Sequence, residues 1–184
     1  IAEGVADPKK IAIMGGSYGG YATLVGVTFT PDLFACGVDI VGPSNLVTLV
    51  ESFPPYWGPF LASSWYPFVG NPKDPKDRAD MESRSPLFKV DKIKVPLLIG
   101  QGGNDPRVTA KESEQIVAAI EKNKGSVTYV VYSDEGHGFA RPENRIDFNA
   151  RSEKFLAGCL GGRFEPMEGE KIPGSTAVVK VVGK

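Results

Sequence analysis

Four short apolar runs alternate along the chain with segments of helical periodicity. The apolar runs occupy residues 11–14, 36–41, 95–100 and 127–132. Helical patterns occupy residues 18–29, 109–122 and 143–160. This alternation is typical of parallel strands joined by crossover helices. It predicts an α/β fold with a mainly parallel sheet of about four strands and flanking helices.

Local signals refine the limits of these elements. The helix at 109–122 has Thr109 as its expected N-cap and Glu112 three residues later, which is the spacing of a capping box. Repeated prolines and aromatic residues between positions 44 and 94 break the pattern, so we expect this stretch to leave the sheet. One more short apolar run, at 178–182, is a candidate strand near the C-terminus.

Composition and charge narrow the class of protein. The 184 residues suffice for one domain with a single core, and the formal net charge is -1. We expect no nucleic-acid partner, since no run of basic residues forms a stripe for phosphates. The apolar runs are too short to span a membrane and no charged-then-apolar leader precedes them, so we expect a soluble protein and favour a cytoplasmic location over secretion. The chain starts at Ile1 rather than at Met, which leaves room for an upstream segment.

The two cysteines and the single histidine limit the available chemistry. Cys36 and Cys159 lie 123 positions apart in apolar surroundings, and we expect buried free thiols rather than a disulfide. One histidine and two distant cysteines cannot form a zinc site of the usual spacing. We expect no metal and no cofactor, and any imidazole chemistry must use His137.

The strongest chemical signal is the sequence GGSYGG at residues 15–20, between a strand pattern and a helix pattern. It matches the nucleophile elbow G-x-S-x-G, in which a strained turn exposes the serine hydroxyl, and it makes Ser17 the candidate nucleophile. The flanking glycines are expected to avoid collisions with the adjoining strand and helix. The Tyr18 amide, at the helix N-terminus, is the candidate oxyanion donor. The alternative is a dinucleotide-binding turn, but G-x-G-x-x-G is missing.

Two further residues follow predicted strands. Asp105 comes after the third strand, and on its own it could equally be a turn aspartate before Pro106. His137 comes after the fourth strand between two glycines, and alone it could be an ordinary surface histidine. The order Ser, Asp, His, with each residue at a strand end, is that of α/β-hydrolases. We therefore predict a catalytic triad of Ser17, Asp105 and His137.

Three segments together resemble the prolyl oligopeptidase family of serine peptidases, most closely its acylaminoacyl-peptidase and dipeptidyl-peptidase branches. They are GGSYGGY at 15–21, GNDPRV at 103–108 and EGHGF at 135–139. The resemblance implies that residues 1–164 are the C-terminal part of an α/β-hydrolase catalytic domain, followed by a tail at 165–184. It also implies cleavage of peptide, acyl-peptide or small ester bonds through an acyl-enzyme.

The same resemblance implies an apolar pocket for the substrate residue before the scissile bond. Its expected members are Tyr18, Leu46, Phe53 and Val108, although Leu46 fits ordinary core packing equally well. Arg107 is expected to fix the Asp105 loop through an ion pair. Whether the enzyme would remove acylated residues or dipeptides, or cut internally, stays open.

The elbow lies unusually early for this family, which normally has several strands before it. We expect residues 11–14 (IAIM) to form an exposed apolar edge, covered by a missing upstream segment or by a second copy in a homo-oligomer. We also expect the second oxyanion donor to be missing, at a cost of about 3 kcal/mol of transition-state stabilisation. The alternative function is therefore a weak or inactive hydrolase-like fragment that binds without catalysis.

Overall fold

The structure, a computed structural model, describes residues 1–183, and Lys184 at the end of the predicted tail lies outside the described residues. One mixed sheet has the strand order β1-β2-β3-β4-β5. Its strands are β1 (Ala12–Gly16), β2 (Cys36–Ile40), β3 (Leu97–Gly102), β4 (Val127–Tyr132) and β5 (Ala177–Val182). The first four are parallel and β5 is antiparallel to β4. The predicted α/β class is confirmed, and the candidate strand at 178–182 becomes the fifth strand.

The helices connect the strands and extend the chain beyond the sheet. They are α1 (Tyr18–Phe29), α2 (Leu46–Glu51), α3 (Gly58–Phe60), α4 (Pro75–Ser83), α5 (Ala110–Lys122) and α6 (Pro142–Leu160). Short 3-10 segments at Pro55–Trp57 and Pro86–Lys92 and a π-helical turn at Leu61–Trp65 complete the excursion from the sheet. The sequence pattern missed α2, α3 and α4, which lie within the proline-rich stretch.

Helices cover both faces of the sheet, as the alternation of buried side chains along β3 shows. Leu97 and Ile99 of β3 join a core cluster with α1 and α5 on one face. Leu98 points the other way and joins a cluster with Phe148 of α6. Alternate residues of a strand face opposite sides, so a fully apolar run is what a doubly covered strand requires.

Two strands extend further than their apolar runs predict. Gly15 and Gly16 continue β1 by pairing with Asp39 and Ile40 of β2. The segment Gln101–Gly102 continues β3 in the same way, against the end of β4. Ladder hydrogen bonds use the backbone alone, so three glycines and the polar Gln101 prolong strands beyond the end of their apolar runs. The extension brings the strands directly to the loops that carry the predicted catalytic residues.

The prediction of free thiols is wrong, because Cys36 and Cys159 form a disulfide. Cys36 opens β2, and Cys159 lies near the end of α6, which runs back across the sheet. Their Cα atoms are 6.3 Å apart, within the range that a disulfide can bridge. Sequence separation gave no sign of this approach, since only the packing of α6 on the sheet brings the two ends together.

The predicted capping box at the start of α5 is also wrong. Thr109 occupies the N-cap position but its side chain makes no capping hydrogen bond. Glu112 is fully buried, and its carboxylate accepts hydrogen bonds from the backbone amides of Ser44 and Asn45 instead. The Glu112 carboxylate therefore does not bind the Thr109 amide, because it binds the backbone that leads into α2 instead.

The strand β1 lies at one edge of the sheet and pairs only with β2 among residues 1–183. Met14 on this strand is 50% exposed. This agrees with the predicted apolar edge. None of the helices within the described range is both long and apolar enough to cross a bilayer.

Candidate active site

Ser17 lies in the tight turn between β1 and α1. Its φ of 58° and ψ of -117° place a non-glycine residue in a sparsely populated region. The Ser17 amide donates a 2.8 Å hydrogen bond to the Ile40 carbonyl at the end of β2, which holds the turn against the sheet. The turn is therefore strained, anchored and directed to the carboxyl end of the parallel strands, where ligands bind in open α/β folds.

The glycines of the elbow are not equally constrained. A Cβ at Gly15 would collide with the Gly19 carbonyl, and a Cβ at Gly20 would collide with the Asp39 carboxylate. Gly19 itself has open space where a Cβ would lie, and Gly16 has only ordinary contacts. The expected steric need for glycine thus holds at Gly15 and Gly20 but not at the two positions flanking Ser17 and Tyr18.

Asp105 follows β3 and its side chain is fully buried. One carboxylate oxygen, Oδ1, accepts hydrogen bonds from the amides of Arg107 (2.8 Å) and Val108 (2.9 Å). The other oxygen, Oδ2, lies 2.8 Å from His137 Nδ1. The residue is therefore both a turn aspartate and the partner of the imidazole. The expected ion pair of Arg107 does not form within residues 1–183, and its backbone amide fixes the loop instead.

His137 follows β4 and lies between the other two residues. Its Nε2 is 2.8 Å from Ser17 Oγ and its Nδ1 is 2.8 Å from Asp105 Oδ2. A carboxylate can only accept, so Nδ1 carries the proton and Nε2 accepts from the serine hydroxyl. The structure thus brings Ser17, His137 and Asp105 together in one continuous hydrogen-bond chain.

Glu135 supports the loop that carries His137. This residue is 2% exposed, and its carboxylate accepts hydrogen bonds from Ala140 N (2.8 Å), Arg141 N (2.9 Å) and Asn144 Nδ2 (2.9 Å). The loop at 136–139 is therefore closed at its base on one buried acidic group. Sequence reasoning placed Glu135 in a motif without recognising this structural role.

The His137 loop also packs closely on the Asp105 loop. The Asn104 amide donates a 2.9 Å hydrogen bond to the Glu135 carbonyl. A Cβ at Gly102 would collide with the Gly136 carbonyl, so only glycine permits this approach. The two loops hold each other in register, which fixes the distance between Asp105 and His137.

Beside the elbow lies a buried acidic group, Asp39 of β2. Its Oδ1 accepts a hydrogen bond from Gly42 N, whereas Oδ2 has no partner among residues 1–183. Burial raises the pKa of Asp39 to about 7, and the hydrogen bond from Gly42 opposes this shift. Burial likewise raises the pKa of Tyr21, whose hydroxyl donates to the Arg84 carbonyl.

An apolar cavity of about 180 Å³ adjoins Ser17 and His137. The four residues that sequence reasoning assigned to the substrate pocket all line it: Tyr18, Leu46, Phe53 and Val108. Reasoning from sequence missed several other lining residues, which are Tyr21, Pro43, Leu49, Trp57, Trp65, Val69 and Arg107. Most of these come from the proline-rich excursion or from α2, where no periodic pattern assigned them a position.

Tyr18, whose amide is the predicted oxyanion donor, directly follows Ser17 and opens α1. Its side chain is 75% exposed at the cavity mouth. Its amide belongs to the first turn of α1, where N–H groups have no intrahelical acceptor.

A larger concavity of about 820 Å³ lies over β5 and α6, and neither Ser17 nor His137 lines it.

Comparison with known proteins agrees with this geometry. The sequence model of the prolyl oligopeptidase family matches residues 1–163. Dipeptidyl aminopeptidase BIII of Pseudoxanthomonas mexicana is 56% identical over 98% of this chain and 26% of its own length. Dipeptidyl peptidase family member 6 of Caenorhabditis elegans is 48% identical over 100% of the chain and 25% of its own length. The chain thus spans about a quarter of these relatives.

Solved structures show the same fold. A puromycin-hydrolyzing peptidase of Mycobacterium tuberculosis superposes with a TM-score of 0.77 and 32% identity, over 91% of this chain and 24% of that protein. A puromycin hydrolase superposes with a TM-score of 0.80 at 24% identity, over 93% of this chain and 25% of that protein, which supports the fold alone. Fold and sequence match together place the chain plainly: it belongs to the prolyl oligopeptidase family of serine peptidases.

Proposed function

We propose that this chain supplies the catalytic residues of a serine peptidase, with Ser17 as nucleophile, His137 as general base and Asp105 as its carboxylate partner. The observation that carries the proposal is the hydrogen-bond chain from Ser17 Oγ through the imidazole to Asp105 Oδ2, with both links at 2.8 Å. Nucleophile, base and orienting acid within hydrogen-bond reach are the minimum for acyl transfer by a serine.

The geometry supports a two-step reaction. His137 Nε2 takes the Ser17 proton as Oγ attacks the substrate carbonyl, and then returns that proton to the leaving amine. The resulting acyl-enzyme is hydrolysed when water attacks it and gives a proton to the same nitrogen. His137 then passes this proton to Ser17 Oγ as the acyl–oxygen bond breaks, which releases the acid and restores the free serine. Asp105 holds Nδ1–H and stabilises the imidazolium that forms in each step.

The oxyanion of the tetrahedral intermediate would be bound first by the Tyr18 amide. This donor is at the N-terminus of α1, where the helix dipole also favours negative charge. Hydrolases of this type use a second backbone donor from another loop. We propose that polypeptide covering the β1 edge, either an upstream segment or a second copy, supplies it. The exposed Met14 and the unpaired outer edge of β1 support that placement.

The cavity beside Ser17 would take the substrate side chain next to the scissile bond. Its walls are aliphatic and aromatic, with Leu46, Leu49 and Val108 on buried elements. An apolar side chain gains about 25 cal/mol for each Å² that it buries there. We therefore propose an apolar residue at this position of the substrate.

Release of dipeptides is the activity that we propose for the whole protein. Two relatives named as dipeptidyl peptidases match nearly the full chain at 56% and 48% identity, which favours this activity over acyl-peptide or internal cleavage. The chain covers a quarter of their length, so groups that recognise the substrate amine can lie elsewhere in a longer polypeptide.

Chromogenic dipeptidyl anilides test the proposal directly. We expect Ser17-dependent release of the anilide from substrates with a free amine and an apolar second residue, and slower release after N-acetylation. Ser17→Ala is the matched control, since it removes one oxygen atom. Faster cleavage of the acetylated substrate would favour acyl-peptide cleavage. Release that persists in Ser17→Ala would contradict Ser17 as the nucleophile. No release with or without added upstream polypeptide would favour a binding module without catalysis.

A further inference from the structure

Glu112 of α5 is a fully buried acidic residue that the proposed reaction does not use. Its Oε2 accepts hydrogen bonds from Ser44 N (3.0 Å), Asn45 N (2.9 Å) and Gln115 Nε2 (2.9 Å). Its Oε1 accepts from the Thr48 hydroxyl. No cation pairs with it within residues 1–183. The carboxylate is stabilised by neutral donors that belong mostly to the start of α2.

The backbone of Glu112 takes part in the same contact. Its carbonyl accepts a 2.6 Å hydrogen bond from Ser44 Oγ. Ser44 and Asn45 immediately precede α2, and Asn45 caps this helix by accepting from Val47 N. A helix of only six residues has little stability of its own, so this tertiary clamp determines where α2 begins.

Both ends of the clamp lead to the cavity beside Ser17. On one side, α2 carries Leu46 and Leu49, which line the cavity. On the other, α5 follows Val108, a further lining residue, after a single residue. Glu112 therefore joins two cavity walls that are 59 to 62 positions apart in sequence.

Burial raises the pKa of Glu112, while the hydrogen bonds from Thr48, Asn45 and Ser44 lower it. Burying a carboxyl group is costly unless donors compensate it. An alanine at this position would leave the backbone amides of Ser44 and Asn45 without their acceptor. The Thr48 hydroxyl and the Gln115 side-chain amide would lose one acceptor each and keep another. The loss would act on the start of α2, because most of these donors lie there.

We propose that Glu112 is a positioning residue that sets the width of the apolar pocket by fixing α2 against the Val108 loop. The proposal rests on the proposed function, since it takes this cavity as the site for the substrate side chain. Glu112 would not touch the substrate. It would act on selectivity for large apolar groups and not on the reactivity of Ser17.

Two organophosphorus probes distinguish an effect on the apolar pocket from an effect on the nucleophile. A fluorophosphonate with a phenylalkyl arm needs the pocket, whereas one with methyl groups needs only Ser17. In Glu112→Ala we expect the labelling rate for the phenylalkyl probe to fall about tenfold relative to the small probe, since displacements near 1 Å cost rate. Glu112→Gln, which keeps an acceptor, should recover most of the selectivity. Equal loss with both probes, or no loss, would overturn the proposal.

Glu114→Ala is the matched control, because this exposed residue lies on the same helix two positions away. Thermal unfolding curves check that each variant is folded at the assay temperature. The two tryptophans of the chain, Trp57 and Trp65, both line the cavity and give an independent readout. Phenylbutanol titrated against their fluorescence should bind Glu112→Ala more weakly than wild type.

The phenylbutanol titration distinguishes failure of the inference on Glu112 from failure of the proposed peptidase function. Absence of wild-type labelling with either probe contradicts the proposed function, and the inference on Glu112 then depends on phenylbutanol binding alone. Equal affinity of wild type and Glu112→Ala for phenylbutanol would overturn the inference on Glu112.

Discussion

Asp39 Oδ1 accepts a 2.9 Å hydrogen bond from Gly42 N at the end of β2, beside the helix that begins after Ser17. The contact fills the space between the β2 turn and α1, where a Cβ on Gly20 or Gly42 would collide with the carboxylate. The elbow is thus packed against a fully buried acidic group that has a single hydrogen-bond donor within residues 1–183.

Stability should depend on pH through Asp39. Its pKa is raised from 3.8 to about 7, so the folded state favours the protonated acid. The stabilisation of the folded state by this proton is complete below pH 4 and is lost as pH rises to about 7. Asp39→Asn stays neutral, and its stability relative to wild type should increase over this window by up to about 4 kcal/mol, at 1.4 kcal/mol per pKa unit.

Denaturant unfolding of both proteins between pH 4 and pH 8 measures this difference. Asp32→Asn is a suitable control, because Asp32 is exposed and its one ion pair within residues 1–183 is with Lys94 at the surface. Parallel pH profiles for wild type and Asp39→Asn would show that Asp39 is ionised in the folded protein.

The elbow glycines should differ in their tolerance of a methyl group. Gly15→Ala forces the Gly19 carbonyl away, so we expect α1 to shift, Ser17 labelling by a fluorophosphonate to fall sharply and stability to decrease by about 1–3 kcal/mol. Gly19→Ala has open space and should stabilise α1 by up to about 1 kcal/mol. Thermal unfolding compares the two, and equal effects would contradict the packing described at the elbow.

The carboxylate of Glu135 should matter for the position of His137. Glu135→Ala leaves two backbone amides without an acceptor at the base of the loop, at a cost of about 1–3 kcal/mol for each unsatisfied group. We expect slower labelling of Ser17 in a protein that remains folded, with partial recovery in Glu135→Gln. Glu143→Ala, which removes a half-exposed carboxylate nearby, is the control. Unchanged labelling in Glu135→Ala would mean that the loop holds His137 without this clamp.

The disulfide should be a large contributor to stability. It closes a loop of 123 residues, for which the chain-entropy relation gives about 5 kcal/mol. The double variant Cys36→Ser, Cys159→Ser should therefore unfold at a lower temperature than wild type. A reductant should lower the melting temperature of wild type but not that of the variant. A reductant-insensitive wild type with two titratable thiols would restore the original expectation of free cysteines.

Much of the fold follows from apolar periodicity, and the exceptions share a cause. The runs at 127–132 and 18–29 coincide with β4 and α1, because the periodic pattern of each run continues from its first residue to its last. Residues 15–16 and 101–102 continue their strands without apolar side chains, so hydropathy ends too early there. The helix α4 is missed because it is mostly polar, with Met81 as its one buried residue.

The three residues of the hydrogen-bond chain were identifiable because each follows a strand and their order is diagnostic. The residues that support them were not. Glu112 fits a capping box by spacing, yet it binds the start of α2, 67 positions away in sequence. Cys36 and Cys159 meet only because α6 crosses the sheet. Such contacts depend on how elements pack, which local sequence patterns do not report.

Site-specific phosphonylation tests most directly whether Ser17 is a nucleophile activated by His137. The purified chain would be treated with a small fluorophosphonate and the modified peptide located by mass spectrometry. We predict modification at Ser17 that is lost in Ser17→Ala and reduced by orders of magnitude in His137→Ala, since the base is then missing. Modification of another serine, or labelling of Ser17 at the same rate in His137→Ala, would contradict activation of Ser17 by His137.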